Sequence, residues 1–370
     1  MHIAVDCRSI HRHMGGIGRA ALELMRALSN LEREHRLSMI VGRDPGAELP
    51  GGALSVVPVD AAMIDESFEQ LRLPSLLAEI RADLYVNTTF SIPAVKTTPY
   101  QASIIHDVVF EDRPEFVEPG LRSYLSRWSR FAAQEADHIF TVSDHARSRI
   151  RSVYGVPESR VSRVYNAVPQ SCYSLPDPRD TARVREKFRL QDPFILYLGT
   201  VESKKGIPEL LDAFARLAVT GFAGQLVLAG GRGSDQQELE KDLEGKGLTH
   251  RVRLLGYVEE MDKKPLLKAC RCFVYPSHYE GFGLPPLEAM ALGVPCVVSD
   301  QTSLPEVVGE AAIIASLHDP LVFAQALRKA CDDAGFREAA ARQGPARAAR
   351  FSWEDSAARF VSVCEDVGGT

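Results

Sequence analysis

Residues Tyr275–Met290, which read YPSHYEGFGLPPLEAM, decide the fold. The apolar run before them predicts a buried strand, the glycines predict a loop, and the paired prolines predict the first turn of a helix. Glu280 lies just before this helix and Glu288 about one turn inside it. A helix N-terminus offers N–H groups to a phosphate, and a carboxylate accepts hydrogen bonds from sugar hydroxyls. The stretch therefore predicts a pocket for a phosphorylated sugar.

Strand-like apolar runs alternate with helical patterns in two blocks, and a proline-rich segment at 169–180 separates them. This alternation predicts an α/β protein with two doubly wound, mostly parallel sheets. We expect domains at 1–175 and 176–350, followed by a terminal helix at 351–370 with Ser352 as its cap. The predicted strands are His2–Cys7, Leu37–Val41, Leu54–Val59, Asp83–Val86, Ala102–Ile105 and His138–Val142, then Phe194–Leu198, Leu226–Ala229, Val252–Leu255, Cys272–Tyr275 and Cys296–Val298.

Composition excludes several classes of protein. The 370 residues are 45% hydrophobic and 25% charged, which is typical of a globular protein. A net charge of −6 offers no general attraction to nucleic acid, so no nucleic-acid partner is expected. Seven scattered cysteines fit neither a disulfide framework nor a zinc site. With no secretory signal and no apolar run of about 20 residues, we expect a cytoplasmic protein that can still touch a membrane surface.

Two further segments could hold an anion. Gly15–Gly18 (GGIG) follows the first predicted strand and leads into a helical pattern. It is either a tight turn or a backbone anion site, and it is not the dinucleotide fingerprint. Lys204 and Lys205 precede Gly206 and another helix, where they could neutralise a diphosphate. Taken alone, a solvated lysine pair is the more common state.

The segment from Glu280 to Glu288 resembles the signature of glycosyltransferase family 4. The resemblance extends over almost the whole chain, through Ile105–Asp107, Thr141–Ser143, Gly293–Pro295 and Ser303–Gly309. It implies the GT-B fold, in which two Rossmann-like domains face each other and the C-terminal helix crosses back to the first. The first domain would bind the acceptor and the second the nucleotide-sugar donor.

The resemblance also implies roles for single residues of the second domain. Glu280 would bond the hydroxyls of the donor sugar, Glu288 would bind the ribose, and Lys205 would pair with the departing diphosphate. Lys204 would assist Lys205, and Val258 would lie near the base. The sugar and the diphosphate would be held by the loop amides of Gly281, Phe282, Gly283 and Leu284.

In the first domain, the resemblance implies that His106 lies beside the anomeric carbon and that Gly15 and Gly16 approach the phosphates. His106, Lys205 and Glu280 are thus the candidate catalytic residues. One position departs from the family: many members carry arginine directly after the equivalent of Gly199, where this chain has Thr200. A branch of the family carries arginine and lysine side by side later in this loop, and Lys204-Lys205 resembles that pair with lysine in place of arginine. Lysine supplies a point charge but not the two-pronged fork of arginine.

The expected reaction is transfer of a hexose from a nucleotide diphosphate sugar to a saccharide or lipid-linked acceptor, with retention of configuration and without a metal or other cofactor. GDP-mannose is the leading donor, by resemblance to bacterial polysaccharide mannosyltransferases, and UDP-sugars come next. Arginines and aromatics at 121–131 indicate either a solvated helix face or a contact with an anionic membrane. A sugar-nucleotide epimerase and a non-catalytic sugar-nucleotide binding protein remain alternatives.

Overall fold

The computed structural model describes residues 1–31, 35–46, 48–52, 54–231 and 236–369, without the side chains of Ser203, Gln236 and Gln237. It divides into two compact units. The first unit is Met1–Ala167 together with Phe351–Thr370, and the second is Val168–Arg350.

The first unit is built on a parallel sheet of seven strands in the order β3-β2-β1-β4-β5-β6-β7. These strands are β1 His2–Asp6, β2 Arg36–Gly42, β3 Leu54–Val59, β4 Leu84–Asn87, β5 Tyr100–Ile104, β6 His138–Thr141 and β7 Val161–Arg163. Its helices are α1 Gly16–Ser29, a π-helical turn Phe68–Arg72, α2 Leu73–Ile80, α3 Val109–Asp112, α4 Pro119–Glu135, α5 Asp144–Tyr154 and α14 Trp353–Gly368.

The second unit repeats this plan with six parallel strands in the order β10-β9-β8-β11-β12-β13. They are β8 Phe194–Leu198, β9 Gln225–Ala229, β10 Val252–Gly256, β11 Cys272–Tyr275, β12 Cys296–Ser299 and β13 Ile313–Ala315. The helices are α6 Pro178–Lys187, α7 Ile207–Val219, α8 Gln236–Gly245, α9 Glu260–Ala269, α10 Leu284–Ala291, α11 Leu304–Val308, α12 Pro320–Asp332 and α13 Ala334–Ala348. The two sheets thus confirm the expected α/β class with two Rossmann-like units.

The start of α1 differs from the sequence-based expectation. Gly16 is already helical, so the glycine segment forms the first helical turn instead of a separate turn before it. The apolar stripe behaves as predicted, because Ala21, Leu24, Met25 and Leu28 are all buried.

The boundary between the units lies after Ala167, earlier than the expected position at 175. The short turn Gln170–Tyr173 packs on α10, and the Lys264 ammonium donates to the Ser171 carbonyl at 3.0 Å. These contacts make the start of the proline-rich segment part of the second unit.

Helix α14 is part of the first unit. The Ser352 hydroxyl accepts from the Asp355 amide, as the sequence predicts for a cap. The helix packs on α1, and Phe360 stacks on Phe140 of β6 with ring centroids 4.8 Å apart. His35 Nε2 and Glu365 Oε1 lie 2.9 Å apart. Aromatic stacking and a polar contact therefore attach the end of the chain to the first sheet.

The segment with arginines and aromatics forms α4, whose buried face includes Leu125 and Ala132. Two of its three arginines have acidic partners: Arg127 contacts Glu66 and Arg130 contacts Glu111, each at 3.4 Å. In the described part of the chain, no helix is both long and apolar enough to cross a membrane.

We expect Phe360→Ala to lower the free energy of unfolding of the first unit by about 3–5 kcal/mol, because the ring is fully buried and its removal leaves a cavity. The measurement is urea unfolding followed by tryptophan fluorescence. Leu321→Ala, at a side chain that is 53% exposed, is the control and should change the stability little. Equal losses in the two variants would contradict the packing of α14.

Candidate functional site

The order of each sheet reverses at one place, between β8 and β11 in the second unit and between β1 and β4 in the first. In open parallel sheets, ligands bind outside the carboxyl ends of the strands at such a reversal. The loop after β8 carries Lys204 and Lys205, and the loop after β11 carries Glu280. We call residues 199–206 the lysine loop and residues 276–283 the glutamate loop.

The two loops of the second unit touch each other. The His278 amide donates to the Lys204 carbonyl at 3.1 Å, and Lys205 Nζ donates to Glu280 Oε1 at 2.6 Å. Gly206 has a φ of +68°, and a Cβ there would lie 2.0 Å from the Pro276 carbonyl oxygen. Because only glycine tolerates both this backbone conformation and this approach, Gly206 sets how closely the loops can pack.

Both lysines of the lysine loop have an acidic partner. Lys204 Nζ lies 3.2 Å from Glu202 Oε1, and the Lys205–Glu280 pair is only 16% and 13% exposed. Burial opposes the charge on Lys205, but Glu280, Tyr197 and Glu202 together outweigh it, so the pKa of Lys205 is raised. Lys205 therefore stays charged, and it is not the solvated lysine that the sequence alone favours.

Two stacked tyrosines lie beneath this ion pair. The rings of Tyr197, in β8, and Tyr275, in β11, have centroids 5.9 Å apart and an interplanar angle of 14°. The Tyr197 hydroxyl donates to the Thr200 carbonyl at 2.7 Å, which fixes the start of the lysine loop. Burial, Glu280 and Glu288 each raise the pKa of Tyr275. The charges of both carboxylates thus act on the same hydroxyl group.

The glutamate loop is supported from the loop that follows β12. The Ser303 hydroxyl lies 2.9 Å from the Glu280 carbonyl and 2.8 Å from the Phe282 carbonyl. The Thr302 hydroxyl accepts from the Glu280 amide at 3.0 Å. Ser303 is fully buried, so these hydrogen bonds are shielded from water. They hold the backbone that carries Glu280.

The glutamate loop ends at the N-terminus of α10. Gly283 precedes the helix with a φ of +119°, and a Cβ on it would lie 2.8 Å from Leu304. Among the described residues, no side chain caps this end of α10. Gly281 and Phe282 are buried, whereas Leu284 is half-buried. The amides at this helix end can therefore bind an anion.

Val258 does not offer its side chain to a ligand. It is 2% exposed and belongs to the hydrophobic core of the second unit. A contact between Val258 and the nucleotide base would have to involve the backbone of Val258.

In the first unit, His106 follows β5, and its Nε2 lies 3.0 Å from the Thr88 carbonyl in the loop after β4. A carbonyl only accepts, so Nε2 carries the hydrogen and Nδ1 is left as an acceptor. Burial lowers the pKa of His106 to about 4. The hydrogen bond to the Thr88 carbonyl raises the pKa but offsets only part of this effect. The imidazole is therefore neutral near pH 7 and can accept a hydrogen bond there.

Gly15 and Gly16 are exposed, and a Cβ on either would meet no described heavy atom within 4 Å. The crowded position in this segment is Gly18, where a Cβ would lie 2.2 Å from the Ser9 carbonyl oxygen. Within the described chain, no side chain caps α1. The segment thus presents open backbone at a helix N-terminus, as an anion site needs.

A buried charge cluster that the sequence did not indicate lies at the carboxyl ends of β1 and β4. The Arg8 guanidinium contacts Asp6 at 2.9 Å and Glu69 at 3.0 Å. Glu69 also accepts from the hydroxyls of Ser91 and Tyr124. Since Ser91 lies in the loop that bonds His106, the cluster holds this loop in place. Sequence reasoning missed it because Glu69, Ser91 and Tyr124 lie far along the chain from Asp6 and Arg8.

The structure thus collects Lys204, Lys205, Glu280, Glu288 and residues 281–284 at one edge of the second sheet. His106, Gly15 and Gly16 lie in the first unit. Among the described residues, no group of three or more His, Cys, Asp or Glu side chains could hold a metal ion.

Comparisons with known proteins identify the family and agree with the fold. Sequence profiles of "Glycosyltransferase Family 4" and "Glycosyl transferases group 1" match residues 14–171 and 178–347, respectively. O-antigen chain mannosyltransferase B from Escherichia coli is 31% identical over 98% of this chain and 99% of its own length. Serotype-specific mannosyltransferase WbdA from the same species is 27% identical over 96% of this chain but 47% of its own length.

Solved structures show the same fold. Sucrose-phosphate synthase from Thermosynechococcus elongatus has a TM-score of 0.77 at 19% identity, over 99% of both chains. WaaG, a glycosyltransferase involved in lipopolysaccharide biosynthesis, has a TM-score of 0.77 at 15% identity, over 98% of this chain and 99% of that one. The two Rossmann-like units and the two sequence profiles define a glycosyltransferase of the GT-B class. The full-length similarity then shows that the chain belongs to glycosyltransferase family 4.

Because the folded protein keeps His106 neutral, protons should favour the unfolded chain below the ordinary pKa of 6.5. The free energy of unfolding should therefore fall as the pH drops from 6.5 towards 4. In His106→Asn, the loss between pH 7.5 and 5 should be smaller than in the unmodified protein by about 2 kcal/mol. Urea unfolding at the two pH values measures this difference. The exposed His250, changed to Asn, is the control, and an identical pH dependence in all three proteins would contradict the burial of His106.

We expect Ser303→Ala to cost about 1–3 kcal/mol of stability and to weaken nucleotide-sugar binding, because two carbonyls of the glutamate loop lose their donor. The matched control is Ser356→Ala, another buried serine, which loses a bond to the Tyr165 carbonyl in the first unit. Calorimetric titration should show weaker binding only for Ser303→Ala. Equal affinities in the two variants would disprove a supporting role for Ser303.

Proposed function

We propose that this chain is a retaining mannosyltransferase that transfers mannose from GDP-mannose to a saccharide or lipid-linked acceptor during the assembly of a cell-surface polysaccharide. The supporting observation is the full-length similarity to O-antigen chain mannosyltransferase B. The second mannosyltransferase, WbdA, matches over nearly the whole of this chain. A shared sugar is the simplest reason for this similarity, and mannose is donated by a nucleotide diphosphate in the proposed reaction.

The chemistry proposed for the site is electrostatic. When the bond between the sugar and the diphosphate breaks, negative charge grows on the phosphate oxygens and the sugar gains oxocarbenium character. Positive groups placed in advance around those oxygens lower the barrier. Lys205, Lys204 and the N-terminus of α10 are such groups, and they need no metal. In this proposal, Glu280 orients the sugar through its hydroxyls, and Glu288 binds the ribose.

Retention of configuration is proposed to come from attack on the same face that the leaving group departs from. The departing phosphate then accepts the proton of the acceptor hydroxyl. His106 is a poor base because its pKa is about 4, so its proposed role is to accept a hydrogen bond through Nδ1. The weak basicity of His106 favours a route in which an oxygen atom of the leaving group accepts this proton.

The nucleotide base is proposed to be guanine, on the strength of the mannosyltransferase relatives. Structures with the same fold include HepE from Anabaena in complex with UDP-glucose, at 16% identity. A UDP-sugar is therefore the competing donor. The proposed place of work is the cytoplasmic face of a membrane, where a lipid-linked acceptor would be within reach of a peripheral enzyme.

A panel of nucleotide sugars tests the donor. We expect GDP-mannose to raise the thermal unfolding midpoint more than GDP-glucose, UDP-glucose or UDP-N-acetylglucosamine. A ligand at 100 times its dissociation constant stabilises by about 2.7 kcal/mol, which such a measurement resolves. A larger shift with a UDP-sugar would overturn the choice of guanine.

Turnover tests the reaction itself. With the best donor and a mannose-terminated oligosaccharide, mass spectrometry should show one added hexose, and NMR should show that the α-configuration is kept. The same rate in the presence of EDTA is expected if no metal takes part. An isomerised donor would point to an epimerase, and binding without any turnover would point to a sugar-nucleotide binding protein.

A further inference from the structure

The Lys205–Glu280 ion pair raises a problem for the proposed function, on which this inference rests. The cation proposed to meet the diphosphate and the carboxylate proposed to grip the sugar are 2.6 Å apart and bonded to each other. Neither side chain is more than 16% exposed, so water replaces a lost partner poorly. A ligand that engages Lys205 through a phosphate must therefore compete with Glu280.

We infer that the Lys205–Glu280 pair is a counter-ion switch that makes the site favour the intact nucleotide sugar over the spent nucleoside diphosphate. Both ligands take Lys205 away from Glu280 with their phosphates. Only the nucleotide sugar brings hydroxyl groups that donate hydrogen bonds to the released carboxylate. A nucleoside diphosphate leaves Glu280 half-buried without its cation and adds further negative charge beside it.

The surroundings of Glu280 make its release costly without a new donor. Burial, Glu280, Glu288 and Glu202 all raise the pKa of Tyr275, so the charges of these three carboxylates act on the same part of the site. Like charges repel strongly where water is scarce. The backbone of Glu280 is also fixed by Thr302 and Ser303, which limits how far the side chain can move away. Glu280 thus stays close to the phosphate site when Lys205 turns to a ligand.

The consequence for turnover is a favourable release of product. After the sugar has left, the hydroxyls that satisfied Glu280 leave with it, and the carboxylate again competes for Lys205. This competition weakens the hold on the nucleoside diphosphate at the stage when it must depart.

The test compares GDP and GDP-mannose by calorimetric titration, with UDP and UDP-glucose as a second pair of probes. In Glu280→Gln, Lys205 has no competing charge, so the nucleoside diphosphate should bind about tenfold tighter. The nucleotide sugar gains from the same loss of competition but gives up its charged acceptor, because an amide oxygen is a weaker acceptor than a carboxylate, so the ratio of the two affinities should shift towards the nucleoside diphosphate. If Glu280 only gripped the sugar, the affinity for the nucleoside diphosphate would not change, and that result would overturn the inference.

Two variants separate this switch from a general change of charge. Glu202→Gln removes the acidic partner of Lys204 and leaves Glu280 unchanged. It should therefore raise the affinities for the nucleoside diphosphate and for the nucleotide sugar by a similar factor. Asp332→Asn removes an acidic group near the amino end of β11, where the Arg271 side chain bonds the Cys331 carbonyl, and should change neither affinity. If Asp332→Asn changed the affinities as much as Glu280→Gln does, net charge alone would explain the effect, and the inference would be wrong.

If Glu280→Gln fails to fold, a structure of the unmodified protein with the nucleoside diphosphate bound tests the inference instead. Lys205 Nζ should then contact a phosphate oxygen, with Glu280 beyond hydrogen-bonding distance. A Lys205–Glu280 bond that persists beside the bound phosphate would refute the switch. Failure of the unmodified protein to bind either pair of probes would instead count against the proposed function.

Discussion

The site of the second unit depends on the close contact between the lysine loop and the glutamate loop. These loops leave β8 and β11, which are neighbours in the sheet although the chain makes two other strands between them. The absent side chain of Gly206 lets the Pro276 carbonyl approach, and the Lys205–Glu280 bond joins the loops above that point. A cation and a carboxylate thereby belong to one surface at the carboxyl edge of the sheet. The stacked rings of Tyr197 and Tyr275 and the hydrogen bonds of Ser303 support this surface.

The sequence predicted the two sheets well because both are fully parallel and most of their strands are buried on both faces. Such strands are continuous apolar runs, which need no knowledge of distant partners to be recognised. The strands it missed, β7 and β13, have three residues each, are partly exposed and form sheet edges. An edge strand of this length is defined by its neighbour in the sheet, which a local pattern does not reveal.

The site was predictable only in part, for a related reason. Glu280, Glu288 and the glycines between them lie in one short segment, so their spacing carries the signal. The partner of Glu280 is 75 residues away, and its pairing with Lys205 appears only when the strands are arranged in space. Tyr275 and Ser303 were visible in the sequence as a strand end and a motif start, but their contacts with the glutamate loop depend on the fold. Arg8, Asp6 and Glu69 were missed because buried ion pairs have no periodic pattern.

The assignment of α14 to the first unit has a consequence for biosynthesis. A chain emerging from a ribosome completes every strand and helix of the second unit before the segment that covers Phe140 has been made. The unit that begins first in the sequence is thus the one finished last. Until translation ends, the apolar side chains of α1 and β6 that α14 covers stay exposed, and nascent chains with such surfaces are prone to aggregation.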